Sequence, residues 1–221
     1  MNTTASIAGH APSGDPPRRG AVGKLVAERA ARLAGSRERS SSVAAFAHLR
    51  ANVNREPGID GSIWGITIDG VPGYPRSDEP TREELAVHTA LTLFAVHQQG
   101  VGEDMHRVGV GLGQAVRRLD DVTGGGSDDT TSPVRRRFNA LVTAETLSEV
   151  RNHLRGLITQ LRARGIALDY GMLADDICQF EWPGQADSVR RRWARQYHRL
   201  LSASAEQPDN QDDKTTTEED Q

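Results

Sequence analysis

The chain has 221 residues, of which 36% are hydrophobic, 5% aromatic and 26% charged, with a formal net charge of −3. That length allows one domain or two small ones with a real core, and so few aromatics argue against a large β-sandwich. No apolar run approaches membrane-spanning length, and a single cysteine, Cys178, excludes a disulfide framework.

The net charge hides an asymmetry. Residues Glu206 to Gln221 hold seven acidic side chains against Lys214, a net −6, which leaves the rest of the chain at +3. Lys24 and Lys214 are the only lysines, so the basic character is almost entirely arginine. Arginine keeps its charge and offers a planar fork to phosphate, where lysine acts as a point charge.

Taken in chain order, residues 1–20 are rich in Gly, Pro, Ser and Thr and lack the apolar segment of a signal peptide. They read as a disordered end, and a cytoplasmic protein is expected. An amphipathic helix is predicted from about Val22 to Leu33, stopping at Gly35. A second begins after Ser40-Ser41-Ser42, any of which could cap it, with Val43, Phe46, Ala47 and Arg50 at helical spacing. Residues 52–80 are punctuated by Gly and Pro; Trp64 and Tyr74 are expected to anchor this long connection on the core.

Thr81-Arg82-Glu83-Glu84 is a capping box, and the helix it opens runs through Leu91 and Phe94 to Gln99, before Gly100. After a glycine-rich turn, a short helix is predicted from about Leu112 to Leu119. Thr123 to Thr131 reads as a linker. Ser132 and Pro133 start the next helix. Thr143 can cap another, with Leu147, Val150, Leu154, Ile158 and Leu161 on one stripe. Asp169 starts a helix with Leu173, Ile177 and Phe180 inward, and a last helix turns Val189, Trp193, Tyr197 and Leu200 inward. No segment alternates with period two. The expected fold is all-α, two small packed helical bundles at 21–100 and 101–201, with a disordered N-terminus at 1–20 and an acidic disordered tail at 202–221.

The chemistry-bearing residues are the arginines. Met105 to Asp120 reads MHRVGVGLGQAVRRLD, and Arg135-Arg136-Arg137 follows at a helix start. Arg107, Arg117 and Arg118 surround the glycine turn, and Arg151 and Arg155 share a helix face at i,i+4. Fixed basic surface of this kind suits phosphate backbones. The set Arg190 to Arg199 wraps around its helix and reads as a solvated face or a protein contact.

Other motifs are weaker. Gly109-Val110-Gly111-Leu112-Gly113 lacks the preceding strand and βαβ unit of a dinucleotide fingerprint, so close backbone packing, or a backbone approach to a phosphate, is the better reading. His88, His97 and His106 lie nine residues apart, which matches no metal motif; His97 and His106 flank the turn and could reach a ligand. Asp120-Asp121 and Asp175-Asp176 each read as one solvated carboxylate beside one surface ion pair. No catalytic constellation, metal site or cofactor is expected.

Several blocks together resemble a known family. They are Leu91-Thr92-Leu93-Phe94-Ala95-Val96-His97-Gln98-Gln99, Met105-His106-Arg107, Gly109 through Leu119, Arg136-Arg137-Phe138-Asn139-Ala140-Leu141, Leu154-Arg155-Gly156-Leu157 and Leu168-Asp169-Tyr170. In order and spacing they resemble the small subunit of the type I-E CRISPR Cascade complex, the CasB family. The resemblance implies an all-helical, non-enzymatic subunit, present as two copies among other Cascade subunits. It would hold the crRNA guide backbone and stabilise the target and displaced (non-target) DNA strands of an R-loop, without reading sequence. It assigns nucleic-acid contacts to Arg50, Arg107, Arg117, Arg118, Arg135, Arg136, Arg137, Arg151 and Arg155. Two departures stand out: Gly111 and Gln114 replace a serine and an arginine of the family block, and Arg50 is followed by Ala51 where a basic pair is common. The competing readings are a helical adaptor that touches only protein and a helical enzyme with His97 or His106 as base.

Overall fold

The computed structural model describes residues 20–124 and 132–205, with side chains to residue 199. Most of the expected tails and of the 123–131 linker falls outside those residues; Ser202 to Ala205, expected in the tail, continue the last helix. The helices are α1 (Ala21–Gly35), α2 (Ser40–Ala51), α3 (Trp64–Thr67), α4 (Arg82–His97), α5 (Leu112–Val122), α6 (Pro133–Thr143), α7 (Leu147–Ala163), α8 (Tyr170–Phe180) and α9 (Ala186–Ala205), with a 3-10 turn at Gly61–Ile63 before α3. Among the described residues the fold is all-α; the one bridge, between His106 and Leu168, is isolated.

The central element is α4. It is buried on nearly all sides from Ala86 to Ala95 and packs on α1, α2, α7 and α8. A helix apolar all round belongs inside. Its start is the expected capping box, with Glu84 N donating to Thr81 Oγ1 at 3.1 Å and Thr81 N to Glu84 Oε2 at 2.8 Å. Around it, α1, α2, α4 and α8 form one set of packed helices, and α5, α6, α7 and α9 another. The sets are not sequential: α8 leaves the second half of the chain to lie on α1 and α4, and the buried apolar side chains form a single continuous cluster.

Helix ends explain where sequence expectations hold and where they shift. Ser132 accepts from Arg135 N with Pro133 in the first turn, and Asp169 Oδ1 accepts from Met172 N at 3.1 Å, both as expected. Thr143 does not cap α7. It ends α6, its hydroxyl donating back to Asn139 O, and Thr146 with Glu149 forms the capping box instead. The Ser40–Ser42 run lies inside α2 and supplies no cap; Ser42 is buried against Ser36 Oγ at 2.7 Å, joining the end of α1 to α2. Phe46 and Leu49 face the core, whereas Val43 is exposed.

The N-terminus of α1 is capped from across the fold. Asp175 accepts from Gly20 N and Gly23 N, both at 2.8 Å, so this carboxylate is a distal cap rather than a free surface acid. A side chain at Gly23 would collide with that carboxylate and with the Gly171 carbonyl.

The 52–80 connection is held differently from expectation. Trp64 is half exposed and Tyr74 is 93% exposed, so neither anchors it. Buried Ile63 does, together with polar clamps. Asp60 accepts from Ser62 N at 2.9 Å and Asn52 Nδ2 at 2.7 Å, and Arg29 donates to the Ile66 and Asp69 carbonyls. Carbonyl-rich Gly/Pro backbone needs donors more than it needs apolar cover.

Candidate nucleic-acid interface

The glycine turn is a packing device. Gly109 has φ +85°, which suits glycine. Gly113 lies directly against the Trp193 carbonyl and the Tyr197 amide, so α5 and α9 meet backbone to backbone and a methyl group there has no room. The turn's amides are already taken: Gly109 N donates to Asp169 Oδ2 at 2.7 Å, Gly111 N to Gln114 Oε1 at 3.1 Å and Gly113 N to Gln196 Oε1 at 3.1 Å. Close packing is therefore the role seen, and no free amide of these three glycines is left to cradle a phosphate. The turn is clasped to the start of α8 by Arg107 N donating to Leu168 O at 3.0 Å and Asp169 N to Val110 O at 2.7 Å.

Beneath the turn lies a buried polar knot. Asp120 is fully buried and accepts from Ser132 Oγ and from the Tyr197 hydroxyl. Three elements meet on one carboxylate: α5, the cap of α6 and α9. The Tyr197 hydroxyl is pushed up to about 12, first by burial and then by its bond to Asp120. Arg117 belongs to this knot. It is 5% exposed, pairs with Asp121 at 2.6 Å and stands 5.6 Å from the Tyr197 ring centroid. Both acids of Asp120-Asp121 are thus bonded, neither being the solvated carboxylate expected.

The nine arginines singled out by sequence separate into four groups. Arg107, Arg118, Arg136 and Arg137 are exposed and Arg135 is half-buried; among the described residues their side chains make no hydrogen bond or ion pair. The stem of Arg137 lies against α7 at Gly156. Arg151 and Arg155 are working clamps on the loop after α2. Arg151 donates to Glu56 Oε1 at 2.9 Å and Arg55 O at 2.8 Å, and Arg155 to Asn54 Oδ1 at 2.9 Å. Arg50 is half-buried at the end of α2, which packs on α4 and the 3-10 turn rather than on α5 or α6. Arg117 alone turns inward.

The α9 arginines are not a uniform solvated face. Arg192 pairs with Asp176, which is buried and also accepts from Trp193 Nε1 at 2.7 Å. Burial pushes the Asp176 carboxyl up to about 6, against the pull of Arg192. Arg190 donates to the Ala144 carbonyl and Asp187. Arg195 and Arg199 are exposed and flank a groove whose other wall is Gly109 and Gln114. Their spacing with Ser188 and Arg192, at i, i+4, i+7 and i+11, is a one-face pattern, and it was legible in the sequence.

The histidines are structural. His97 is fully buried, its Nδ1 lying 2.8 Å from the Tyr170 hydroxyl, so at the end of α4 it faces the core and not a ligand as expected. Burial holds His88 and His97 each down to about 4. His106 Nδ1 accepts from Tyr170 N at 3.1 Å. Cys178 is half-buried, and burial pushes its thiol up to about 11. Among the described residues no group of three or more potential metal ligands occurs, and no helix is long and apolar enough to cross a membrane.

The family profile described as CRISPR-associated protein Cse2 matches residues 45–198. This chain belongs to the Cse2 family. The fold agrees. CasB from Thermobifida fusca is 34% identical and superposes with a TM-score of 0.70 over 82% of this chain and 99% of that one. A Cse2-family protein from Thermus thermophilus is 21% identical, with a TM-score of 0.60 over 83% and 99% of the two chains. A chain of a CRISPR RNA-guided surveillance complex is 20% identical, with a TM-score of 0.64 over 84% and 99%. Comparison with curated protein sequences gives no match. The Cse2 match runs from within α2 to the later turns of α9, and so contains the glycine turn, the Asp120 knot and the unpartnered arginines.

Proposed function

We propose that this chain is a non-catalytic small subunit of a crRNA-guided type I-E Cascade complex, working in the cytoplasm. In this reading it stabilises the guide RNA and the target and displaced DNA strands through arginine–phosphate contacts. Family membership and the fold shared with a surveillance-complex chain support the assembly. Its partners would be the other Cascade subunits, a second copy of itself and the nucleic-acid strands.

The observation that carries the nucleic-acid part is the contrast among the arginines. Five of them, Arg107, Arg118, Arg135, Arg136 and Arg137, meet no carboxylate among the described residues, whereas Arg117, Arg151, Arg190 and Arg192 are bonded internally. Unneutralised arginines gathered on one surface suit an anionic partner. Arg50, Arg151 and Arg155 stay in the proposal as a more distant set near the end of α2. The buried placement of His97 against Tyr170 removes it as a candidate base.

The test is binding of mixed-sequence single-stranded DNA and RNA to the purified protein across a salt series. Each phosphate contact on a single strand contributes about −0.7 to the log–log slope. Arg136→Ala with Arg137→Ala should weaken binding alike for all sequences and flatten the slope by about 1.4. Arg164→Ala with Arg191→Ala is the control. Arg192, tied to Asp176, is unsuitable for that purpose. Equal losses from both pairs would indicate diffuse electrostatics, and no binding at all would favour an adaptor that touches only protein.

A further inference from the structure

A groove of about 620 Å³ lies beside the contact between the glycine turn and α9. One wall is Gly109 and Gln114; the other is Arg192, Arg195, Gln196 and Arg199. Among the described residues no carboxylate lines it, and Met172 is its one large apolar contact. We propose that this groove is a second phosphate track for single-stranded nucleic acid, gripped by Arg195 and Arg199 and separate from the Arg135–Arg137 cluster on α6. The inference rests on the nucleic-acid reading above and adds a site to it.

Three features point to a phosphodiester chain. Arg195 and Arg199 are exposed, make no bond among the described residues and stand one helical turn apart, about 6 Å along the axis. That is the order of one nucleotide step on an extended strand, so successive phosphates can meet successive guanidinium groups. The third arginine, Arg192, is held by Asp176 and Gln179, which fixes the inner end of the groove and leaves the outer two unneutralised. Finally, the lining is guanidinium, amide, hydroxyl and glycine backbone. A protein partner would want an apolar centre to desolvate against, and this groove has none beyond Met172. The glycine amides are already bonded, so the side chains have to do the gripping.

Gln114 gives a sharp probe. Its Oε1 accepts from Gly111 N at 3.1 Å, a cap bond that a glutamate makes equally well. Gln114→Glu therefore keeps the helix start and places a negative charge in the groove.

The experiment uses the full chain with a labelled oligo(dT), and polyglutamate as a non-nucleic polyanion, between about 50 and 200 mM salt. Arg195→Ala with Arg199→Ala should flatten the oligo(dT) slope by about 1.4, a sevenfold smaller loss of affinity over that range, with unchanged helical circular dichroism. Gln114→Glu should weaken oligo(dT) binding with unchanged or raised thermal stability. Loss of binding in Arg136→Ala with Arg137→Ala, but none in either groove variant, overturns the groove while sparing the broader reading. Loss in the groove variants alone supports the groove and removes the α6 cluster. Equal loss of polyglutamate and oligo(dT) overturns the phosphate assignment in favour of an acidic protein segment. A wild-type chain that binds neither probe overturns both.

Discussion

The α5–α9 joint and the surface around it are made from the same residue types and differ in what faces them. Inside, Arg117 lies between Asp121 and the Tyr197 ring, and Asp120 collects hydroxyls from Ser132 and Tyr197. Outside, Arg118 is one residue along the chain and has no partner among the described residues. The first region spends its polar groups on one another and thereby locks three helices. The second leaves its charge open. Arginine content by itself says nothing about which regime applies; the group opposite decides. The lock also serves the surface, because Asp120 holds the cap of α6 and so sets where Arg135 to Arg137 stand relative to α9.

The comparison breaks first if the knot is dispensable. Asp120→Ala leaves the Ser132 and Tyr197 hydroxyls buried without their acceptor, and should cost about 4 kcal/mol of stability in urea unfolding. A loss under about 1 kcal/mol would mean that the joint is held by apolar contact alone.

The interior should also respond to acid. His88 and His97 are held down to about 4 in the fold, against 6.5 ordinarily. The unfolded chain therefore takes these protons first as pH falls. Stability from each histidine is full above about pH 6.5 and is lost as pH falls through 4, by about 3 kcal/mol per site. Asp176, pushed up to about 6, works the other way. Its contribution is full below the ordinary carboxylate range and fades as pH rises through 6, so it offsets part of the histidine loss between about pH 4 and 6. Urea midpoints at pH 7.5 and 4.5 should differ clearly, and His97→Gln should narrow the gap. A flat profile would show that these rings are not kept neutral by the fold.

Arg151 sharpens the boundary between the two regions, since it was a phosphate candidate and is also a clamp. Arg151→Ala removes its bonds to Glu56 and the Arg55 carbonyl and should cost about 1.5 kcal/mol, detectable as faster proteolysis within residues 52–60. An unchanged cleavage rate with weakened DNA binding would move Arg151 to the outer region. The smallest stability effect belongs to Arg118→Ala, within about 0.5 kcal/mol of the parent. Its readout is the salt slope for single strands, expected to flatten by about 0.7.

Much of this was legible in the chain. The capping box at Thr81 and Glu84, the Ser132–Pro133 start and the Asp169 cap are local, so a few residues specify them. The stripes on α7 and α9 follow from the 3.6-residue period, and the family blocks carry the Cse2 assignment. The exposed arginines at the glycine turn and on α6 were visible as clusters.

What the chain could not announce is long-range. Asp175 caps α1 from 152 residues away, and nothing near Gly23 signals it. Arg117 and Arg118 are indistinguishable by type, and only the arrival of α9 beside α5 buries one and leaves the other in water. Trp64 and Tyr74 promised apolar anchors, yet the 52–80 backbone needed donors and was met by Arg29 and Arg151, with Asn52 holding the Asp60 side chain. Sequence determines helices, their caps and their apolar faces, because those interactions act within a few residues. Which arginines are buried and which stay open to a partner depends on elements far apart in the chain, even where the neutralising acid is local, as Asp121 is for Arg117, and only the packed tertiary structure brings those elements together.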